Sequence, residues 1–256
     1  MSPSFNHRAT WTNAFPPLLP IAFIIPVGYA FERLAKDRVA CSNSDSILLA
    51  GKVTRAFFDK TGTLTEQGLA FDSCRSAKSW SYGRWESPTL SLAMATCHSL
   101  VKSVEQGTLI GHPVDRAMFK VSNAKLVKAT GSTAIIKTKS GEKIQVLRRF
   151  DFDHHRMTQS VILQHRDGRV VALVKGSGEN IAKICDPAGV PSNFFEESKK
   201  QSKAGIYQIA VGSKALSKEI DVGSLSRDDV EKDLSFEGIL NFQNRMRKNT
   251  PVSLEF

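Results

Sequence analysis

Residues Asp59 to Thr65 read Asp-Lys-Thr-Gly-Thr-Leu-Thr, directly after the apolar run Ala56-Phe57-Phe58. A carboxylate in such a setting can act as a nucleophile, attacking a phosphoryl group and holding it covalently. Asp59 is the candidate nucleophile, and Lys60 sets a fixed positive charge beside it. Thr61, Gly62 and Thr63 offer backbone N–H groups and hydroxyls to phosphate oxygens. The residue two places after Asp59 decides the fate of such an intermediate. A second Asp there would serve as general acid and then as base for hydrolysis. Thr61 does not titrate near neutral pH, so an aspartyl-phosphate is expected to persist. The plain alternative is a polar turn of accidental composition, which seven specified residues after an apolar run argue against.

Several elements have to position this chemistry. Val53 to Phe58 is expected as a buried strand that delivers Asp59 to the carboxyl end of a parallel sheet, where α/β folds place their ligands. Upstream, Phe15 to Phe31 carries no charge and holds Pro16, Pro17, Pro20 and Pro26. Seventeen such residues lie at the lower limit for crossing a bilayer. Prolines in a membrane helix free backbone carbonyls that can line a transport cavity. A proline-rich loop packed on a soluble core is the alternative. Glu32, Arg33, Lys36, Asp37 and Arg38 close the run as a charged flank would.

Downstream, Ser87 can cap a helix opened by Pro88, with Leu90, Ala93, Met94, Cys97 and Leu100 on one face. Strands are expected at Ala134 to Thr138 and Lys143 to Arg149, and a hairpin pairs Ser160 to His165 with Arg169 to Lys175 across Asp167-Gly168. Helical patterns follow at Glu179 to Cys185 and Phe194 to Ala204. The 256 residues carry a net charge of +10, which points to an anionic partner such as nucleotide, anionic lipid or nucleic acid. The charges are spread out and not interleaved with aromatics, so nucleic acid is not expected. Cys41, Cys74, Cys97 and Cys185 have no metal-ligand spacing and read as reduced, mostly buried thiols. No signal peptide is expected, since the first dozen residues are polar and no long apolar stretch follows a basic start.

The heptad at Asp59 is the phosphorylation motif of the P-type ATPases, and the chain resembles that family from about residue 15 to its end. Pro16-Pro17-Leu18-Leu19-Pro20 resembles the Pro-Pro-Ala-Leu-Pro signature of the B subgroup of type V, and lies about forty residues before Asp59 as the resemblance requires. Met94 to Leu100 and Gly111-His112-Pro113-Val114-Asp115 are similar to segments of its nucleotide domain. The resemblance implies an α/β fold: an incomplete haloacid-dehalogenase-like phosphorylation domain (52–69 and 234–256) with an inserted α/β nucleotide-binding domain (70–233) of antiparallel sheet plus helices. A partial, proline-broken transmembrane helix (15–34) and a stalk (35–51) precede it. It implies ATP as substrate, Mg²⁺ with Asp59 and the Thr61 carbonyl as two of its roughly six ligands, a lipid bilayer and a transported cation or polyamine as partners, with Pro17 and Pro20 at the transport site. It also implies a multi-pass parent in an endomembrane, lysosomal or vacuolar, with residues after about 35 in the cytosol.

The resemblance implies two further contact points for ATP. Phe152 falls where the family stacks a Phe on adenine, and an aromatic plane is a natural platform for a base; a core aromatic is the alternative. Lys175-Gly176-Ser177-Gly178-Glu179 resembles the Lys-Gly-Ala-Pro-Glu mouth of the pocket, with Lys175 neutralising nucleotide charge and Gly176 letting a ligand approach the backbone. A solvated lysine at a hairpin end is the alternative there. Asp115 matches an acidic position of the pocket, or is a surface acid.

Departures from the family pattern put ATP affinity in doubt. His112 replaces an Asp, Met157 stands where many members are basic with Arg156 one place early, and Tyr207 replaces a phosphate-contacting Arg. The Thr-Gly-Asp and Gly-Asp-Gly-x-Asn-Asp motifs and an actuator Thr-Gly-Glu loop do not occur in the chain. The expectation is therefore a fragment of an ATP-driven pump that is inactive alone. Alternatives are a truncated nucleotide-binding module without turnover and a soluble haloacid-dehalogenase-like phosphatase, which Thr61 disfavours.

Overall fold

The computed structural model describes residues 18–80, 82–83, 87–103 and 107–255. They divide into two compact units, one ending at Phe58 and the other beginning at Asp59. In the first, the described part of the apolar run lies in one helix, α1 (Leu18–Lys36), of 19 residues. The expected break at proline does not occur. Pro20 sits in the first turn, where the missing N–H would have no intrahelical partner, and Pro26 removes an interior bond without ending the helix. Pro16 and Pro17 lie outside the described residues. Among the described residues no helix is long and apolar enough to cross a membrane. A short helix, α2 (Ser44–Ala50), follows. Phe23, Ile24, Val27 and Phe31 of α1, with Ser44 and Leu48 of α2, line a cavity of about 370 Å³.

The expected buried strand before Asp59 is absent. Residues 53–58 have no regular structure, Phe57 is 94% exposed and Phe58 is more than half exposed. A β-branched and aromatic run becomes a buried strand only when neighbours complete its ladder and cover its faces, and no described strand lies beside this one.

The second unit is built on a nine-stranded sheet whose strand pairs are all antiparallel. In chain order its elements are β1 (Ala70–Ser76), β2 (Tyr82–Gly83), α3 (Pro88–Thr96), β3 (Val101–Lys102), β4 (Leu109–Ile110), α4 (Pro113–Ser122), β5 (Lys125–Thr130), β6 (Thr133–Lys137), β7 (Lys143–Asp153), β8 (Thr158–Gln164), β9 (Val170–Gly176), α5 (Gly178–Ile184), α6 (Phe194–Lys203), β10 (Tyr207–Leu216), α7 (Arg227–Val230), β11 (Ser235–Gln243) and α8 (Thr250–Leu254). The strands run β2-β1-β11-β10-β9-β8-β7-β6-β5 across the sheet, and β3 pairs with β4 apart from it. The segment from Leu234, which the sequence assigns to the phosphorylation domain, therefore supplies a central strand of this sheet. β11 bonds β1 on one side and β10 on the other.

Strand alternation divides the apolar residues between two faces. On one, Val161, Leu163, Leu173 and Phe242 pack with Leu90 and Met94 of α3 and Met118 and Phe119 of α4. On the other, Ile162, Val174, Ala210 and Phe236 pack with Ile181 of α5 and Phe194 of α6. The helix starts follow the sequence signals. Ser87 Oγ accepts from Leu90 N at 3.3 Å with Pro88 in the first turn, so α3 is fixed over the first face. The Asp167-Gly168 turn closes β8 onto β9, with Gly168 N donating to His165 O at 3.0 Å.

Candidate functional site

Four strand and helix ends converge on a cavity of about 970 Å³. The first turn of α4 brings Asp115, the end of β7 brings Asp151 and Phe152, the end of β9 brings Lys175 and Gly176, and the start of β10 brings Tyr207. The structure thus gathers Asp115, Phe152, Lys175 and Gly176, four residues singled out from the sequence, around one space.

Lys175 is not a solvated lysine. Its ammonium donates to the Asp115 carboxylate, and the two side chains are only 8% and 10% exposed. Removing either partner of a buried pair of this kind leaves the other desolvated and unpaired. Asp115 likewise is a buried partner and not a surface acid. Gly176 also has a packing reason for being glycine. A Cβ there would meet the Met157 carbonyl oxygen at 2.3 Å, so the end of β9 closes on the β7–β8 turn only without a side chain.

That turn presents Phe152. The Asp153 carboxylate accepts from His155 N at 2.8 Å and Arg156 N at 3.1 Å, and these backbone donors, Arg156 first, hold its pKa below the usual carboxylate value. Phe152 stays 45% exposed, with its ring edge to His154 at 5.1 Å between centroids. It lines the cavity and is not a core aromatic. Ser99 Oγ donates to Asp151 at 2.5 Å and accepts from Gln159 Nε2 at 2.8 Å, fixing one wall. His112 and Tyr207, two departures from the family pattern, also line the space.

Beneath the cavity the chemistry is inert. Burial pushes the Cys97 thiol up to about 11, and its Sγ donates to Gln159 O at 3.4 Å. Burial also lowers His98 to about 4. His98 Nδ1 accepts from Leu100 N at 3.2 Å, which leaves the proton on Nε2, facing Ala95 O at 2.8 Å. Burial lowers the pKa of Arg149, whose Nε and one terminal nitrogen meet no acceptor among the described residues.

The Asp59 segment is organised separately. Lys60–Leu64 forms a single wide turn, closed by Thr65 N donating to Lys60 O at 3.0 Å. Gly62 has φ +85°, a conformation that favours glycine. The return chain after β11 grips the turn from behind. Arg247 donates to Gly62 O and, at 3.2 Å, to Thr65 O; its N–H reaches Leu64 O at 3.1 Å, and Thr250 Oγ1 donates to the same oxygen at 2.8 Å. Neither Arg247 nor Thr250 carries a signal in the sequence that would mark it. Asp59, Lys60, Thr61 and Thr63 are exposed, and none of them lines the 970 Å³ cavity. The structure therefore brings the sequence-predicted residues together as two sets and does not join them.

Among the described residues no group of three or more His, Cys, Asp or Glu could hold a metal ion. The Asp59 carboxylate and Thr61 carbonyl are hard oxygens that suit a Mg²⁺ retaining water and phosphate oxygens as its other ligands, which is how that ion is commonly held.

A family model described as P-type ATPase, cytoplasmic domain N, matches residues 87–249. The chain is 32% identical over 270 residues to a probable cation-transporting ATPase 13A4 of Homo sapiens, with 95% of this chain and 22% of that protein covered. It is 34% identical over 273 residues to a probable cation-transporting ATPase 13A5 of Mus musculus, covering 94% and 22%. It is 29% identical over 290 residues to a polyamine-transporting ATPase 13A3 of Homo sapiens, covering 95% and 23%. The chain thus spans less than a quarter of the length of these curated relatives.

Proposed function

The chain belongs to the P-type ATPases, with their cytoplasmic domain N over residues 87–249, and on that premise we propose that it is the nucleotide-binding and phospho-accepting part of an ATP-driven transporter of cations or polyamines. The observation that carries the proposal is the convergence of Phe152, Asp115, Lys175 and Gly176 on one cavity beside an aromatic platform. Phe152 stacks on adenine, and the Lys175–Asp115 pair sets one wall of the pocket.

Asp59 accepts the phosphoryl group. A carboxylate oxygen attacks the γ-phosphorus, the new O–P bond forms as the bond to the β-phosphate oxygen breaks, and ADP leaves with that electron pair. Mg²⁺, when bound, offsets charge on the phosphate oxygens. Thr63 and Lys60 stabilise the transferred group, and Thr61 provides no acid or base to hydrolyse it. In this proposal α1 belongs to the membrane part of an endomembrane transporter, lysosomal or vacuolar, with Pro17 and Pro20 at the transport path and residues after about 35 in the cytosol. A second reading, a nucleotide-binding module without turnover, is favoured by the absence of a strand at 53–58 and by Tyr207.

ATP titration of the chain followed by amide shifts tests the pocket. Shifts are expected around Phe152, Lys175 and Gly176, with affinity near the millimolar range, about 4 kcal/mol. Phe152→Ala should weaken binding about 5- to 150-fold, the equivalent of roughly 1–3 kcal/mol for one stacked base. Absence of shifts at high nucleotide in the folded protein would remove the proposal.

A further inference from the structure

Gln159 of β8 is buried, only 3% exposed, and lines the cavity. It stands directly opposite Lys175 of β9, whose ammonium donates to Asp115. The two ends of an amide side chain are told apart by their partners, and here the partners fix them. Asp151 offers carboxylate oxygens, and an ionised carboxylate only accepts. The single hydroxyl proton of Ser99 therefore goes to Asp151, at 2.5 Å. That leaves the Ser99 oxygen as an acceptor, so the end of Gln159 facing it at 2.8 Å is the NH₂ group. Reversed, the amide would set its carbonyl against that oxygen with no proton between them. The carbonyl oxygen, Oε1, is thus turned away from Ser99. It accepts from no group among the described residues, and it is not among the unpartnered atoms sealed from solvent, so it opens on the cavity.

We propose that Gln159 selects the base of the nucleotide: its carbonyl accepts the exocyclic amine of an amino-purine, and Ser99 and Asp151 are positioning residues that hold the amide in that sense. The inference rests on the reading of this cavity as a nucleotide pocket. Stacking on Phe152 supplies affinity without discrimination, because every base has a π-face. Discrimination needs a polar group of fixed sense, and Oε1 is one. A glutamine carbonyl taking the adenine amine is half of the pairing by which glutamine reads adenine in DNA. An oxo-purine would instead set its own carbonyl against Oε1, leaving two acceptors facing each other away from water. A glutamine that merely filled the wall would have its carbonyl paired inside the protein, as buried polar atoms generally are. The backbone beneath is held as well, since Gln159 O accepts from the Cys97 thiol at 3.4 Å.

The test is titration of the 256-residue chain with ATP, ITP and purine riboside triphosphate, read at the Phe152 and Gly176 amides and at the Gln159 side-chain amide. ATP should bind at least about tenfold more tightly than ITP, the cost of leaving one buried acceptor unmatched. Purine riboside triphosphate, which lacks only the amine, should also bind less tightly than ATP. Gln159→Met keeps the bulk of the wall without its acceptor and should bind ATP and ITP alike. Ser99→Ala, at the exposed mouth, frees the amide to present either end, so the preference for ATP over ITP should fall severalfold. A residue that only supported the fold would weaken both nucleotides together and leave their ratio unchanged. Equal binding of ATP and ITP, or of ATP and purine riboside triphosphate, with shifts still centred on Phe152 overturns the inference and leaves the nucleotide pocket standing. A wild-type ratio in both variants overturns it too. If no nucleotide moves these resonances, the reading of the cavity itself falls and takes the inference with it.

Discussion

Protonation of His98 should cost this fold a substantial part of its stability, and the structure sets the size. The ring is fully buried, edge-on to Phe119 at 4.9 Å, and both nitrogens are engaged. Burial lowers its pKa from 6.5 to about 4. Adding a proton at Nδ1 would turn it against the Leu100 N–H that it now accepts from. The folded value lies below the unfolded one, so the unfolded chain binds more protons between them. The contribution is therefore complete above about pH 6.5 and is lost as pH falls toward 4. The full difference is about 3 kcal/mol, and about 2 kcal/mol of it should disappear between pH 7.5 and pH 5. Urea denaturation at those two pH values, read by tryptophan fluorescence, measures it. His98→Asn can keep a donor and an acceptor but cannot titrate there. It should be less stable than wild type at pH 7.5, yet its pH dependence should be smaller by about 2 kcal/mol. An unchanged pH dependence in His98→Asn would refute the argument.

Lys175→Met leaves Asp115 buried without its cation and should destabilise the protein by about 3–5 kcal/mol, whereas Lys175→Met combined with Asp115→Asn should recover much of that loss in the same denaturation assay. Gly176→Ala forces a Cβ against the Met157 carbonyl and should cost at least about 1–3 kcal/mol, seen as a lower melting temperature with the pocket's ligand shifts displaced. In the parent transporter, Asp59→Asn should abolish the acid-stable, hydroxylamine-sensitive label formed from labelled ATP; full labelling of that variant would move the nucleophile elsewhere.

Local signals in the sequence carried over well into structure. The Ser87 cap, the Pro88 start and the Asp167-Gly168 hairpin are decided within a few residues, and each forms as expected. What failed depended on distant partners. Residues 53–58 have strand-forming side chains but no neighbouring ladder, and nothing in those six residues reveals that. β11 looks like a strand from its own residues, but its place between β1 and β10 rests on pairings such as Ala70 with Gln243, far apart in the chain. β10 went unmarked for the same reason. At the pocket, the resemblance to the family singled out Phe152, Lys175 and Asp115. It could not show that Lys175 and Asp115 hold each other, because that contact joins a strand end to a helix start sixty residues away. Gly176 was marked for letting a ligand approach the backbone; it lines the cavity, and the close approach of the Met157 carbonyl that also keeps it a glycine was not visible in the sequence.

The pairing of Ala70 with Gln243 has a mechanical consequence. The chain enters the sheet and leaves it on adjacent antiparallel strands, and just outside them Thr65 still bridges Met246. The cavity-bearing sheet is thus joined to the Asp59 turn by two connections that run side by side, with Glu66 N donating to Arg245 O at 2.8 Å, and not by two separate tethers. The pairing slips between these two points, since Thr65 to Ala70 covers five steps where Gln243 to Met246 covers three, and Gly68 turns the entering chain at φ +84°. Any swing of the cavity toward the turn would then bend at this slip, and Arg247, which clasps the turn from the return strand, would move with the hinge. The same closure at the base makes the sheet a cassette, able to be carried between two neighbouring residues of a host loop without threading the host's own fold.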